Sequence, residues 1–256
     1  MRNLPLGVLL VSLALPIAAH AQSLHDLLNA AGAKGKAPVQ EDNTPFKPLG
    51  FTGSYRWEIH TYKNGTEEKD SPGSISMAFD DAHMALLPHT DKKEGEMRMV
   101  FDLKDKYTYT LVTDKKGERT GIKMKARPVH AEDDSTSMAG RDTKVARTEE
   151  TKLVEGHNCR KYTYSNEDGT GEAWIAEDIP FNAFEALANM MGSRSSKWQQ
   201  APYHGMVMEN TWNAKNGKEQ VKMYTRDLVL GKVDPALFST DGYAIQDMTS
   251  MPVFGQ

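Results

Sequence analysis

Glu149–Asn189, EETKLVEGHNCRKYTYSNEDGTGEAWIAEDIPFNAFEALAN, is the stretch on which the fold turns. Thr148–Val154 and Asn158–Tyr164 read as strands separated by Glu155-Gly156-His157. Asn166–Gly171 reads as a turn, and Glu172–Ala176 as a third strand carrying Trp174. Asp178 is placed to cap a helix, with Pro180 tolerated in its first turn. Phe181, Phe184, Leu187, Ala188 and Met191 then recur at helical spacing, and Gly192 stops the run. Strand, turn, strand, turn, strand and amphipathic helix make a unit whose apolar helix face needs a sheet to lie on.

Working outward toward the N-terminus, Phe51–Thr61 shows the clearest alternation. Phe51, Tyr55, Trp57 and Ile59 interleave with polar residues, as expected of a strand wet on one side only. Asn64-Gly65 is a hairpin dipeptide. Period-two runs follow at Ser74–Phe79, Ala82–Leu87 and Met97–Leu103, then at Tyr107–Thr113 and Gly121–Ala126, joined by short polar turns; Pro88 is expected to end its strand. Arg127–Arg147 breaks the pattern and reads as a long polar loop, either a flap or a disordered insertion. Toward the C-terminus, Met206, Met208 and Trp212 restart the alternation. Asn216-Gly217 turns the chain into Glu219–Thr225, and Asp234–Phe238 resembles a single helical turn.

The expected fold is therefore mainly β (α+β): a strongly curved antiparallel sheet or half-barrel of about ten strands, with a helix packed in the concave face. Residues 1–21 read as a signal peptide, with Arg2, an apolar run over Leu4–Ala18 and an Ala19-His20-Ala21 cleavage site. Residues 22–48 read as a short helix (Ser23–Ala33) and a linker, 49–247 as the β domain, and 248–256 as a tail. The expected location is the periplasm. No cysteine adjoins the cleavage site for lipid attachment, and no stable membrane span remains after cleavage.

The net charge of −4, with both signs interspersed, gives no nucleic-acid footprint. The single Cys159 forms no intrachain disulfide. It reads as a small buried hydrophobe or, alternatively, as a nucleophile beside His157, although neighbours on a strand point to opposite faces. The histidines show no metal-ligand spacing, and there is no phosphate-binding glycine loop or G-x-S-x-G elbow. No metal, cofactor or enzyme activity is expected. The 14 methionines stand out, with i, i+2 pairs at Met97/Met99 and Met206/Met208. They fill a core, line an adaptable apolar cavity, or ligate Cu(I).

Gly156-x-x-Cys159-x-x-Tyr162, followed by Ala173-Trp174 and the capped helix, resembles the secreted bacterial family of domain of unknown function 4412. Val100–Lys125 and Leu237-Phe238…Gly242-Tyr243 are similar to it as well. The resemblance implies a curved antiparallel half-barrel like that of periplasmic lipoprotein carriers, and brings no activity or catalytic residues. Together these readings lead to a binding or carrier module for an apolar ligand (lipid, acyl chain or lipoprotein). Its expected contacts are Trp57, Met97, Met99, Phe101, Trp174, Phe184, Leu187, Met206 and Met208. The alternative is a non-catalytic envelope structural or interaction protein with a self-filled core, whose partner is another envelope protein.

Overall fold

The computed structural model describes residues 45–69, 71–89, 95–125, 144–183, 186 and 203–250. Its strands are β1 (Gly53–Lys63), β2 (Thr66–Glu67), β3 (Gly73–Phe79), β4 (His83–His89), β5 (Glu96–Asp102), β6 (Tyr107–Thr113) and β7 (Arg119–Lys125). The second half supplies β8 (Lys144–Val154), β9 (His157–Ser165), β10 (Gly169–Ala176), β11 (Met206–Ala214), β12 (Glu219–Leu230) and β13 (Ala244–Asp247). All belong to one curved, open 13-stranded sheet in the order β13-β7-β6-β5-β4-β3-β1-β12-β11-β10-β9-β8, with β2 paired on β1 off this path.

The order follows from two meanders. The first walks outward from β1 to β7. The second begins at the opposite edge with β8 and walks back to β12, which pairs with β1 from Gly53↔Leu230 to Lys63↔Glu219. Tight turns hold the registers. Asn64 and Gly65 have φ of 51° and 80°, and Glu155 and Gly156 have φ of 49° and 84°. Two consecutive positive φ values match the twist of the flanking strands, which makes each a two-residue hairpin turn. Where β12 bulges against β1, Asp227 adopts φ 55° and accepts a 2.9 Å hydrogen bond from Arg56 Nε.

Three sequence expectations need correction. Pro88 lies inside β4, opposite Ile75 of β3. The pairing of β4 with β5 stops at Leu86, so Pro88 occupies an edge position where a missing N–H costs no ladder bond. The polar stretch ending at Arg147 is partly strand, since β8 begins at Lys144; residues 126–143 lie outside the described residues. The chain also returns to the sheet after Tyr243 as β13, which runs parallel to β7. Strands β2 and β13, both short and largely exposed, are the two that no alternating run in the sequence marked.

The helix expected over Phe181–Met191 lies mostly outside the described residues, Phe184 and Leu187 included. Ala183 and Ala186 are helical, and the Ala186 N–H donates to the Asn182 carbonyl at 3.0 Å. The residues leading into it are buried: Phe181 stacks on Phe51 at 4.0 Å and meets Phe79 edge-on at 4.8 Å. The expected N-terminal helix and linker up to residue 44 also fall outside the description.

The sheet carries two cores. The larger lies on the face of Tyr55, Trp57, Met77, Phe79 and Met84, and continues through Met223, Trp212, Met208 and Ala173. The smaller lies on the opposite face, where Ala78, Ala85, Val100 and Leu111 are covered by Val233, Leu237, Phe238, Tyr243 and Ile245. The C-terminal segment is thus a strap across the back of β3–β7. It turns through a 3-10 helix (Pro235–Leu237) capped by Asp234, and Arg98 donates to the carbonyls of Ala236 and Ser239 at 2.9 and 2.8 Å.

Candidate binding faces

Registers show which predicted contacts share a face. Trp57 lies opposite Ile75. Met84 lies opposite Phe101, and Leu86 opposite Met99. Met97 lies opposite Val112. Trp57, Met97, Met99 and Phe101 therefore line one continuous apolar face, and Met206 and Met208 belong to its core cluster. Exposure divides these residues in two. Trp57, Met206 and Met208 are at most 2% exposed and are packed by their own neighbours. Met97, Met99 and Phe101, with Leu86, Ile75 and Val112, remain half-buried, and Met124 at the end of the strip is 40% exposed. The Tyr55 hydroxyl, buried within this face, has no hydrogen-bond partner among the described residues, and burial pushes its ionisation well above the usual tyrosine range.

Trp174 departs from the expectation of a single shared hollow. Its register partners are Lys161 and Glu209, which belong to the polar face. The ammonium groups of Lys152 and Lys161 stand 5.0 and 5.8 Å from its ring centre, a cation–π arrangement. The bulge in the β10–β11 pairing between Trp174 and Ile175 ends the simple alternation here. That leaves Trp174 half-buried, touching the core cluster at one side and capped by lysines at the other.

The polar face is the feature that reading strand by strand missed. Two cross-strand rows run over β8–β12 and onto β1: Lys144, Ser165, Thr170, Asn213, Gln220 and Tyr62, then Ala146, Thr163, Glu172, Thr211, Lys222 and His60. An open depression of about 740 Å³ is centred on them. The signal was present as the polar half of each alternation, but its assembly depends on register, which turns and bulges set. Ion pairs surround the depression. Lys161 reaches Glu172 at 3.0 Å, Lys152 pairs with Glu209, and His60 bridges Glu58 and Glu67. Among the described residues no group of three or more His, Cys, Asp or Glu is placed to hold a metal ion, and no helix is long and apolar enough to cross a membrane.

The described residues thus form an open, mainly β sheet with a filled methionine core, a half-buried apolar strip and a polar reverse face. Residues 51–203 match the family described as Domain of unknown function (DUF4412), and the chain belongs to that family. A comparison with curated proteins found no match.

Solved structures with a related outline include PNGF-II, at 16% identity and TM-score 0.34, covering 76% of this chain and 31% of that one. An uncharacterized conserved protein from Thermus thermophilus has 6% identity and TM-score 0.38, with 77% and 91% coverage. A putative outer membrane lipoprotein-sorting protein domain from Vibrio parahaemolyticus has 7% identity and TM-score 0.22, with 75% and 90% coverage. The chain spans about a third of the length of the first of these.

Proposed function

We propose that the protein is a non-catalytic binding module of the periplasm that holds an acyl chain or similarly apolar ligand along the strip Met97, Met99 and Phe101. The observation that carries this reading is the split in exposure along one face. Trp57, Met206 and Met208 form a filled floor, while Met97, Met99 and Phe101 stay half-buried beside it. Thioether side chains repack at low cost, which suits a surface that accepts chains of varied shape. Phe184 and Leu187 belong to the same proposal as further ligand contacts. Export by the segment 1–21 fits it too.

Saturable binding of a fluorescent fatty acid, weakened several-fold by Met99→Asp with the fold intact, is the expected result. Absence of binding to wild-type protein removes the reading. A second reading, an envelope interaction protein with a self-filled core, is favoured specifically by the complete burial of Met206 and Met208. Under it, no probe binds and a protein partner is retained.

A further inference from the structure

We propose that the depression on the polar face of β8–β12 binds an acidic oligosaccharide, a short sugar chain bearing carboxylate groups. The site is independent of the apolar strip, because the strip lies on β3–β6 and the depression on the reverse face of β8–β12.

Its floor is built from groups that both give and accept hydrogen bonds. Thr163, Ser165, Thr170 and Thr211 contribute hydroxyls. Asn213 and Gln220 contribute amides, held to each other at 2.6 Å. A hydroxyl-bearing sugar presents the same mixed donor and acceptor pattern, so each contact can be satisfied in either sense. The depression crosses five adjacent strands, roughly 19 Å at ordinary strand spacing, which is the shape of a track for an extended chain rather than a pocket for one small molecule. The backbone of β9–β12 beneath is paired with a strand on either side, so a peptide cannot add as a strand across this floor.

Charge supplies the second half of the argument. Lys144 at one end and Lys222 at the other make no close ion pair with a carboxylate among the described residues; the Lys222 ammonium is held 5.1 Å from the Tyr62 ring centre and interacts with Glu67 only at longer range. Glu172, the one carboxylate lining the depression, is already paired with Lys161 at 3.0 Å. Two cations without a close ion pair, flanking neutral hydroxyls and amides, select an anion with neutral polar groups between its charges. With Glu172 in the same depression, a singly charged carboxylate is accommodated where a phosphate dianion meets stronger repulsion.

The test is calorimetric titration of the full chain with tetragalacturonate, neutral cellotetraose and tetra-aspartate. Saturable, salt-sensitive binding of tetragalacturonate is expected, with cellotetraose and tetra-aspartate at least about tenfold weaker. Lys144→Gln and Lys222→Gln should each cost about tenfold in affinity, and Thr211→Val should weaken binding with unchanged salt dependence. Unaltered thermal unfolding of the variants shows that the site alone has changed. No tetragalacturonate binding, equal binding of tetra-aspartate or of cellotetraose, or lysine variants that bind as wild type each overturn the proposal. Met99→Asp should leave this titration unchanged, so the fate of the apolar strip is read separately.

Discussion

Arg147 grips Glu177 through two parallel hydrogen bonds, Nε to Oε1 at 2.8 Å and Nη2 to Oε2 at 2.9 Å. Arg147 is the last residue of β8 before its register on β9 slips, and Glu177 follows the end of β10. The fork therefore fastens the edge strand to a turn two strands inward, at the point where ladder bonds are interrupted. Tyr162, on the strand between, donates to Oε1 at 2.7 Å. The Arg147 bonds and the Tyr162 hydroxyl hold the Glu177 carboxyl down at about 2, below its ordinary 4.5. A depressed carboxylate contributes stability above its unfolded value and loses it as pH falls toward the folded one. Glu177→Gln should lower the unfolding midpoint modestly at pH 7, because both side chains are over a third exposed or nearly so. The gap between variant and wild type should narrow as pH drops from about 4.5 to about 2. A gap that persists unchanged at the acid end contradicts the clamp.

His60 offers the opposite sign. Its Nδ1 lies 2.7 Å from Glu67 Oε1 and its Nε2 lies 2.9 Å from Glu58 Oε1. Carboxylates only accept, so both ring nitrogens donate and the ring is an imidazolium. Partial burial opposes that charge, but the bonds to Glu58 and Glu67 outweigh it and raise the pKa above 6.5. The other charged or titratable groups facing the ring are Arg56, bonded to Glu58, Lys222, its register partner, and Tyr224, which meets it edge-on at 5.6 Å. A raised histidine stabilises below its unfolded value, and that contribution is lost as pH climbs through the folded one. NMR titration of the ring should give a midpoint above 6.5, and amide protection of the β1–β2 hairpin should fall above it. His60→Gln should abolish that pH dependence.

The strands were legible because one face of each is buried, and burial imposes period two on the sequence. Tyr55, Trp57 and Ile59 are buried while Arg56, Glu58 and His60 are not fully so. Face assignment was legible only where alternation is unbroken. Trp174 sits beside a bulge, and parity counted along the sequence carries no sign of a bulge. Strands β2 and β13 were missed for a different reason. They are short and mostly exposed, so nothing in their own composition marks them, and pairing partners elsewhere decide their state. The back strap was half legible: Asp234-Pro235 announces a turn, but that Leu237 and Phe238 cover Ala85 and Val100 is a tertiary fact.

Methionines on one face should now separate by energetics. Met208 is fully buried and Met84 is likewise without exposure, so truncation leaves a cavity that the packed sheet cannot collapse. Met208→Ala and Met84→Ala should each cost about 2–5 kcal/mol. Met97 and Met99 are half-buried, and alanine there should cost about 1 kcal/mol or less, since water already reaches the site. Urea unfolding with an unchanged slope would read the difference directly. Equal losses at the four positions would mean that Met97 and Met99 are core, and the apolar strip would lose its basis.

Cys159 tests the claim that this chain carries no thiol chemistry. The side chain is 0% exposed, and its Sγ donates to the His157 carbonyl at 3.5 Å. Burial pushes the thiol up to about 11, with the charges of Asp178 and Glu209 adding to it. Only about one molecule in ten thousand would then carry a thiolate at pH 7, and the thiolate is the reactive form. The neighbouring imidazole gives no help, because His157 Nδ1 is engaged with Asp178 at 2.8 Å. A thiol–disulfide exchange reagent should therefore leave the native protein unlabelled and react at once in denaturant. Labelling in native buffer should follow the rate of local opening rather than reagent concentration. Fast labelling that grows with reagent concentration at pH 7 would show that the thiol is accessible and activated, and would reopen the nucleophile reading.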